Sequence, residues 1–201
     1  MNAEVKAELL RRAKTDLDSR AALIESGELY GGYHPSMAAV HAENAHALDG
    51  IIQHAGWPGR ILAGDDGAEA AWLILQHAIA FPDLQRSCLP LLEAAAESGD
   101  IPASYPAYVR DRICAFEERP QRYGTQFDWD DDGLMSPLPL QEPEHVDALR
   151  AEVGLEPLAV RTRQIRAETV NEPPPDNIGQ WRQRKHEWAV SVGWIADAPP
   201  D

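Results

Sequence analysis

Four places in the chain carry side chains suited to chemistry. The first is Gln76-His77, inside the segment Ala70-Ala71-Trp72-Leu73-Ile74-Leu75. A helix that is apolar on every side is buried on every side. An amide and an imidazole left unpaired there would cost on the order of 1–3 kcal/mol each. Both therefore need partners: protein groups, water or a ligand. A satisfied core network meets that need. So does a polar pocket with His77 as general acid or base, because the unperturbed imidazole titrates near neutrality.

The second place is His41 with Asn44, one helical turn apart on an apolar stripe and so directed inward. His34 stands just before Pro35, close enough in sequence to join them. The third is Asp111-Arg112. Arg112 falls in phase with Tyr105, Tyr108, Val109 and Phe116, so it is expected to face inward. There it could hold an anionic group bidentately or brace an internal acid such as Asp128. The fourth is Gln121-Arg122-Tyr123-Gly124-Thr125-Gln126. Gln121, Tyr123, Thr125 and Gln126 gather many hydrogen-bonding groups around a glycine that permits unusual backbone dihedrals.

No motif requires a cofactor. A histidine-ligated metal is conceivable only if His34, His41 and His77 meet, since neither H-E-x-x-H nor C-x-x-C occurs. No residue is assigned as a metal ligand on sequence alone. Asp128, Asp130, Asp132 and Gly133 imitate the opening of a calcium loop. However, the twelfth position is Pro139 where the loop needs a bidentate Glu, so the segment reads as an acidic turn. Phosphate-binding glycine loops and a nucleophile elbow are absent.

These residues need elements to position them. Leu9, Leu10, Ala13, Leu17 and Ala21 predict a first helix over 3–26, stopped by Gly27. Tyr30 to His34 reads as an aromatic loop, and Pro35 opens a second helix reaching Ala55. Asp65 and Asp66 begin a central third helix ending near Ala80. A fourth runs from Pro82 towards Gly99 and a fifth over about 103–118. Tyr123, Thr125, Phe127 and Trp129 alternate at period two and predict a small β-hairpin near 121–140. A sixth helix covers about 144–153. Beyond Leu158 the chain reads as irregular, with Pro173-Pro174-Pro175 as a linker, until a last helix at 180–192. The fold is thus expected to be mainly α, an irregular helical bundle with a small β-hairpin. Residues 1–160 form a helical domain; 161–201 form an irregular linker and a C-terminal docking helix.

Composition bounds the partners. With 33 acidic and 18 basic residues the net charge is −15. That argues against nucleic acid and anionic membrane, both of which call for cationic patches. Cys88 and Cys114 sit among apolar residues and read as buried thiols of a reducing compartment, so a cytoplasmic location is expected.

The chain resembles an uncharacterised bacterial family known only as a domain of unknown function. The resemblance runs over roughly residues 30–158. Its marks are Tyr33-His34-Pro35, His41 with Asn44, Gly56-Trp57-Pro58, Gln76-His77-Ala78, Asp111-Arg112 and Gln121-x-Tyr123-Gly124-Thr125-Gln126. It implies one polar pocket in a helical body and carries no activity. The leading expectation is an enzyme acting on a small polar or anionic molecule. His77, His41 and Asp111 would do acid–base work. His34, Asn44, Gln76, Arg112, Gln121, Tyr123, Thr125 and Gln126 would bind substrate. The alternatives are a non-catalytic immunity or antitoxin-like binder and a histidine-ligated metal enzyme. Homo-oligomerisation would run through the C-terminal helix.

Overall fold

The computed structural model describes residues 1–28 and 33–196, so most of the expected loop at Tyr30–His34 lies outside the described residues. Among these residues there are eight helices and one two-stranded antiparallel sheet, a mainly α fold. No helix is long and apolar enough to cross a membrane. The chain divides into two compact units, Met1–Tyr105 and Pro106–Asp201. These units follow internal packing, whereas the division at 160 follows a change in composition.

The first unit is built on three helices: α1 (Ala3–Ser26), α2 (Pro35–Ala55) and α3 (Arg60–His77). Asn2 caps α1, its Oδ1 accepting from the amides of Glu4 and Val5, and left-handed Gly27 (φ 74°) ends it. The buried face of α1 is Leu9, Ala13, Asp16 and Leu23. Leu17, expected inside, is half exposed at 50%. The true stripe is rotated because an acid occupies one of its inward positions.

The helix expected from Asp65 begins earlier. A short turn from Arg60 breaks at Gly64 (φ 75°), and the main helix runs on to His77. Its small residues let α1 lie close: a Cβ on Gly67 would approach within 3.7 Å of the Lys6 backbone and 2.7 Å of the Ala63 side chain. Lys6 meets Asp66 at 2.7 Å near one end of the pair, and Asp16 meets His77 near the other. Ten residues on α1 and eleven on α3 separate these contacts, about 15–17 Å at about 1.5 Å per residue, so α1 and α3 run side by side in the same direction. α2 runs the opposite way along α1. Climbing α1 from Arg12 to Asp16 means descending α2 from Asn44 to His41. α4 (Pro82–Glu97) adds Cys88 and Leu92 to the core.

The boundary between the units falls inside α5 (Ser104–Phe116). The second unit takes most of that helix, then the hairpin of β1 (Phe127–Trp129) and β2 (Met135–Pro137). Phe127 pairs with Pro137 and Trp129 with Met135. Three helices follow: α6 (Val146–Glu152), α7 (Leu158–Glu168) and α8 (Ile178–Val192). α7 replaces part of the stretch expected to be irregular. None of its residues is buried, so it has no apolar stripe to announce it. It is tied to the hairpin by Arg166, which donates to the Met135 carbonyl and Ser136 Oγ. Below α8, Trp194 is buried and stacks on Phe116 with ring centres 5.1 Å apart.

Candidate active site

The geometry of the first unit brings His41 of α2 and His77 of α3 onto one carboxylate, Asp16 of α1. Nδ1 of His77 lies 2.8 Å from Asp16 Oδ1. Nε2 of His41 lies 3.4 Å from Asp16 Oδ2, at ion-pair distance but without hydrogen-bond geometry. The two imidazole centres are 5.2 Å apart. Behind them the Tyr33 hydroxyl lies 2.8 Å from His41 Nδ1. Asp16 is fully buried and His41 nearly so, but the His77 side chain keeps 26% of its surface exposed. A buried carboxylate therefore holds an imidazole whose other edge reaches solvent.

The electrostatics follow from that arrangement. Burial works to raise the Asp16 carboxyl, and the polar contacts of His41 and His77, with their charges, overcome it, holding the group well below the usual carboxylate range. Burial, and then the nearby Asp16 charge, push the Tyr33 phenol up to about 12. Asp16 therefore stays ionised and Tyr33 neutral across the physiological range.

Neighbouring polar residues support the helices that hold this cluster. Asn44 is buried and joins α2 to α1, its Oδ1 accepting from Arg12 at 3.4 Å. Gln76 is buried beside His77. Gln85 of α4, fully buried, donates to the Leu75 carbonyl at 3.0 Å. His34 stands apart from the cluster and caps α2, with its Nδ1 engaged by Ser36. The expected trio of histidines is thus corrected, with Asp16 in the place given to His34. A cap side chain must face its own first turn.

The second unit gathers the other polar residues. Asp111 is fully buried, and Arg112, expected inward, is half-buried overall with its Nε inside, where burial lowers the guanidinium to about 10. Both oxygens of Asp111 are committed to the 121–126 loop. They accept from the amides of Arg122, Tyr123 and Thr125 and from Thr125 Oγ1, at 2.8–3.1 Å. Burial nevertheless keeps this carboxyl above its ordinary value. On the carbonyl side, buried Arg150 of α6 donates to the carbonyls of Tyr123 and Gly124. The Gln121 amide spans the loop, donating to the Gln126 and Leu138 carbonyls and accepting from the Gln126 amide. Gln126 in turn donates to Thr125 Oγ1. The acidic turn is a turn: Asp130 Oδ1 accepts from the amides of Asp132 and Leu134. Asp128 is held by Trp181 and Lys185 of α8, not by Arg112.

Two residues of these clusters, Asp16 and Arg150, escaped the sequence reading, and Tyr33 entered it only within Tyr33-His34-Pro35, with no role. Asp16 has a signal, since it lies three residues after Ala13 and seven after Leu9 on the buried stripe. Arg150 has a similar one, four residues after buried Val146. Tyr33 has only its position beside His34.

A family model matches residues 3–169. The chain belongs to the family of unknown function DUF6624. The match takes in α1, and with it Asp16, as well as the whole 121–126 loop and α7. No curated protein and no solved structure matches the chain.

Proposed function

We propose that this DUF6624 protein is an enzyme that moves protons on a small polar or anionic molecule, with His77 as the group that gives and takes the proton. The observation that carries this reading is the 2.8 Å bond between His77 Nδ1 and the buried, ionised Asp16 on an imidazole that still reaches solvent. With Nδ1–H donating to Asp16, the lone pair lies on Nε2. A proton taken up there makes an imidazolium whose charge the carboxylate offsets at once. The same pairing fixes the ring's orientation, so no reorganisation is needed during transfer. His41 and Tyr33 back the carboxylate from the other side.

In this reading Asp111 takes no part in the proton transfer, because its lone pairs already hold the 121–126 loop of the second unit. Tyr123, Gln126 and Arg112 belong to the second unit, with a loop whose backbone is held on both its amide and carbonyl sides, and take no part in this reading of the first unit's cluster. The free, buried thiols of Cys88 and Cys114 favour a cytoplasmic location. The net charge of −15 favours a small molecule over nucleic acid as ligand.

The first test is the tautomer. Long-range 1H–15N spectra of the full chain at neutral pH are expected to show the His77 proton on Nδ1, and Asp16→Asn should disturb it. A proton on Nε2 of His77 would overturn the reading. Once a substrate is identified, His77→Gln should lower kcat by about 100-fold or more. Full activity in that variant would end the proposal.

A further inference from the structure

We infer that Asp16, His41 and His77 together form a binding site for one divalent transition-metal ion of the zinc class. The inference concerns the same site as the proton-transfer reading and rests on it only for the assumption that this cluster is the reaction centre.

The first argument is the gap between Asp16 and His41. Oδ2 of Asp16 and Nε2 of His41 are both buried and have no hydrogen-bond partner, yet they face each other at 3.4 Å. A proton shared between a carboxylate and an imidazole draws the heavy atoms to about 2.7–2.9 Å in good alignment. Two ligand atoms beside each other on one ion, each about 2.0–2.2 Å from it, stand about 3.0–3.5 Å apart. The observed separation fits the second case. One ligand atom from each of the three residues, His77 included, lies within 4.8 Å of the others, so a single ion can meet all three.

The second argument is the shell behind the ligands. Tyr33 lies 2.8 Å from His41 Nδ1. If that nitrogen carries the ring proton and donates it to the phenol oxygen, Nε2 presents a bare lone pair to the gap. Metal-bound histidines are oriented by such outer partners. The three ligands also come from three packed helices, so their spacing is held before any ion arrives.

The donor set selects the ion. Two imidazoles and one carboxylate suit zinc, cobalt, nickel or ferrous iron and are poor for magnesium or calcium, which take oxygen ligands. Three protein ligands would leave a tetrahedral ion one further coordination position, the ligand count of a catalytic rather than a structural ion. Binding through His77 Nδ1 would require the ring proton to sit on Nε2 instead, leaving a neutral imidazole ligand, and a bound ion would supply an acidic water in place of the His77 lone pair as the proton-transfer group.

The experiment uses the full chain, stripped with chelator and dialysed. Co2+ is titrated at neutral pH with visible absorption as the readout, and Zn2+ by calorimetry. The expected result is one ion per chain, with ligand-field bands of a nitrogen and oxygen site. Asp16→Asn and His41→Gln should each weaken binding by at least tenfold, and Tyr33→Phe by about tenfold. His34→Ala should leave it unchanged. Absence of saturable one-to-one binding, or equal affinity in Asp16→Asn, overturns the inference. If the variants fail to fold, Co2+ broadening of the His41 and His77 ring resonances in the unaltered chain decides, and unaffected rings refute the site. A chain that binds no ion but keeps the His77 proton on Nδ1 loses the metal and retains the proton-transfer reading. One that binds an ion, with metal-free His77 protonated on Nε2, does the reverse.

Discussion

Asp16 is the residue on which the first unit turns. A carboxylate with no exposed surface survives in a helical core only if its charge is answered, and here two imidazoles answer it. The consequence for stability has a definite sign. In the folded chain Asp16 binds its proton more weakly than in the unfolded chain. Over the acid range the unfolded state therefore holds more protons, and stability rises with pH. The contribution is complete above the ordinary carboxylate value of about 4 and is lost as the pH falls below it. Chelator-treated protein followed by circular dichroism from pH 7 to strongly acidic solution should lose stability along that limb. Asp16→Asn should be less stable at pH 7 and show a flatter acid limb. A variant with the same acid limb as the parent would show that the two histidines do not stabilise the charge.

Among the elements, the 121–126 loop shows how a short irregular segment can be made rigid. Its amides point to Asp111 and two of its carbonyls to Arg150, so opposite buried charges hold opposite sides of one backbone. Removing either leaves polar groups buried without partners. Arg150→Met is expected to lower the unfolding free energy of the chain by about 3–5 kcal/mol, read from urea titration. Gly124 adds a steric reason. At φ 67° a Cβ there would lie 2.9 Å from the Leu158 side chain, so Gly124→Ala should cost about 2 kcal/mol. Losses below about 0.5 kcal/mol in both variants would mean that water satisfies the loop as well as these side chains do. The hairpin shows the same economy: Asp130 supplies the bonds of a turn too acidic to be held by packing alone.

At the scale of the whole molecule the dominant quantity is charge. An excess of 15 negative charges on 201 residues repels itself in the folded state, where the charges are closest. Exposed ion pairs such as Lys14 with Asp18 offset little of this, since each contributes at most about 1 kcal/mol. Salt therefore stabilises. Raising ionic strength from about 0.01 M to about 0.15 M shortens the screening length from about 30 Å to about 8 Å. Scanning calorimetry should show Tm rising over that interval. A falling Tm would mean that specific ion pairs outweigh the net repulsion.

Much of the architecture could be read from local chemistry. Gly27, Pro35, Gly56 and Pro82 mark helix ends because backbone dihedrals and missing amides act within a few residues, and α1 and α2 have the limits so expected. The inward placement of His41, Asn44 and Gln76 follows from helical phase alone. α7 was hidden because a solvated helix carries no apolar rhythm. What only the tertiary structure decided is which polar groups meet. The phase of Asp16 with Leu9 and Ala13 turns it inward, but its partner is settled only where the small residues of α3 let α1 lie along it and set that carboxylate opposite His77. Likewise His34 and His41 differ only in that one caps a helix and the other faces its neighbour. Phase tells which way a side chain points, but only the packing of the helices tells what stands in front of it.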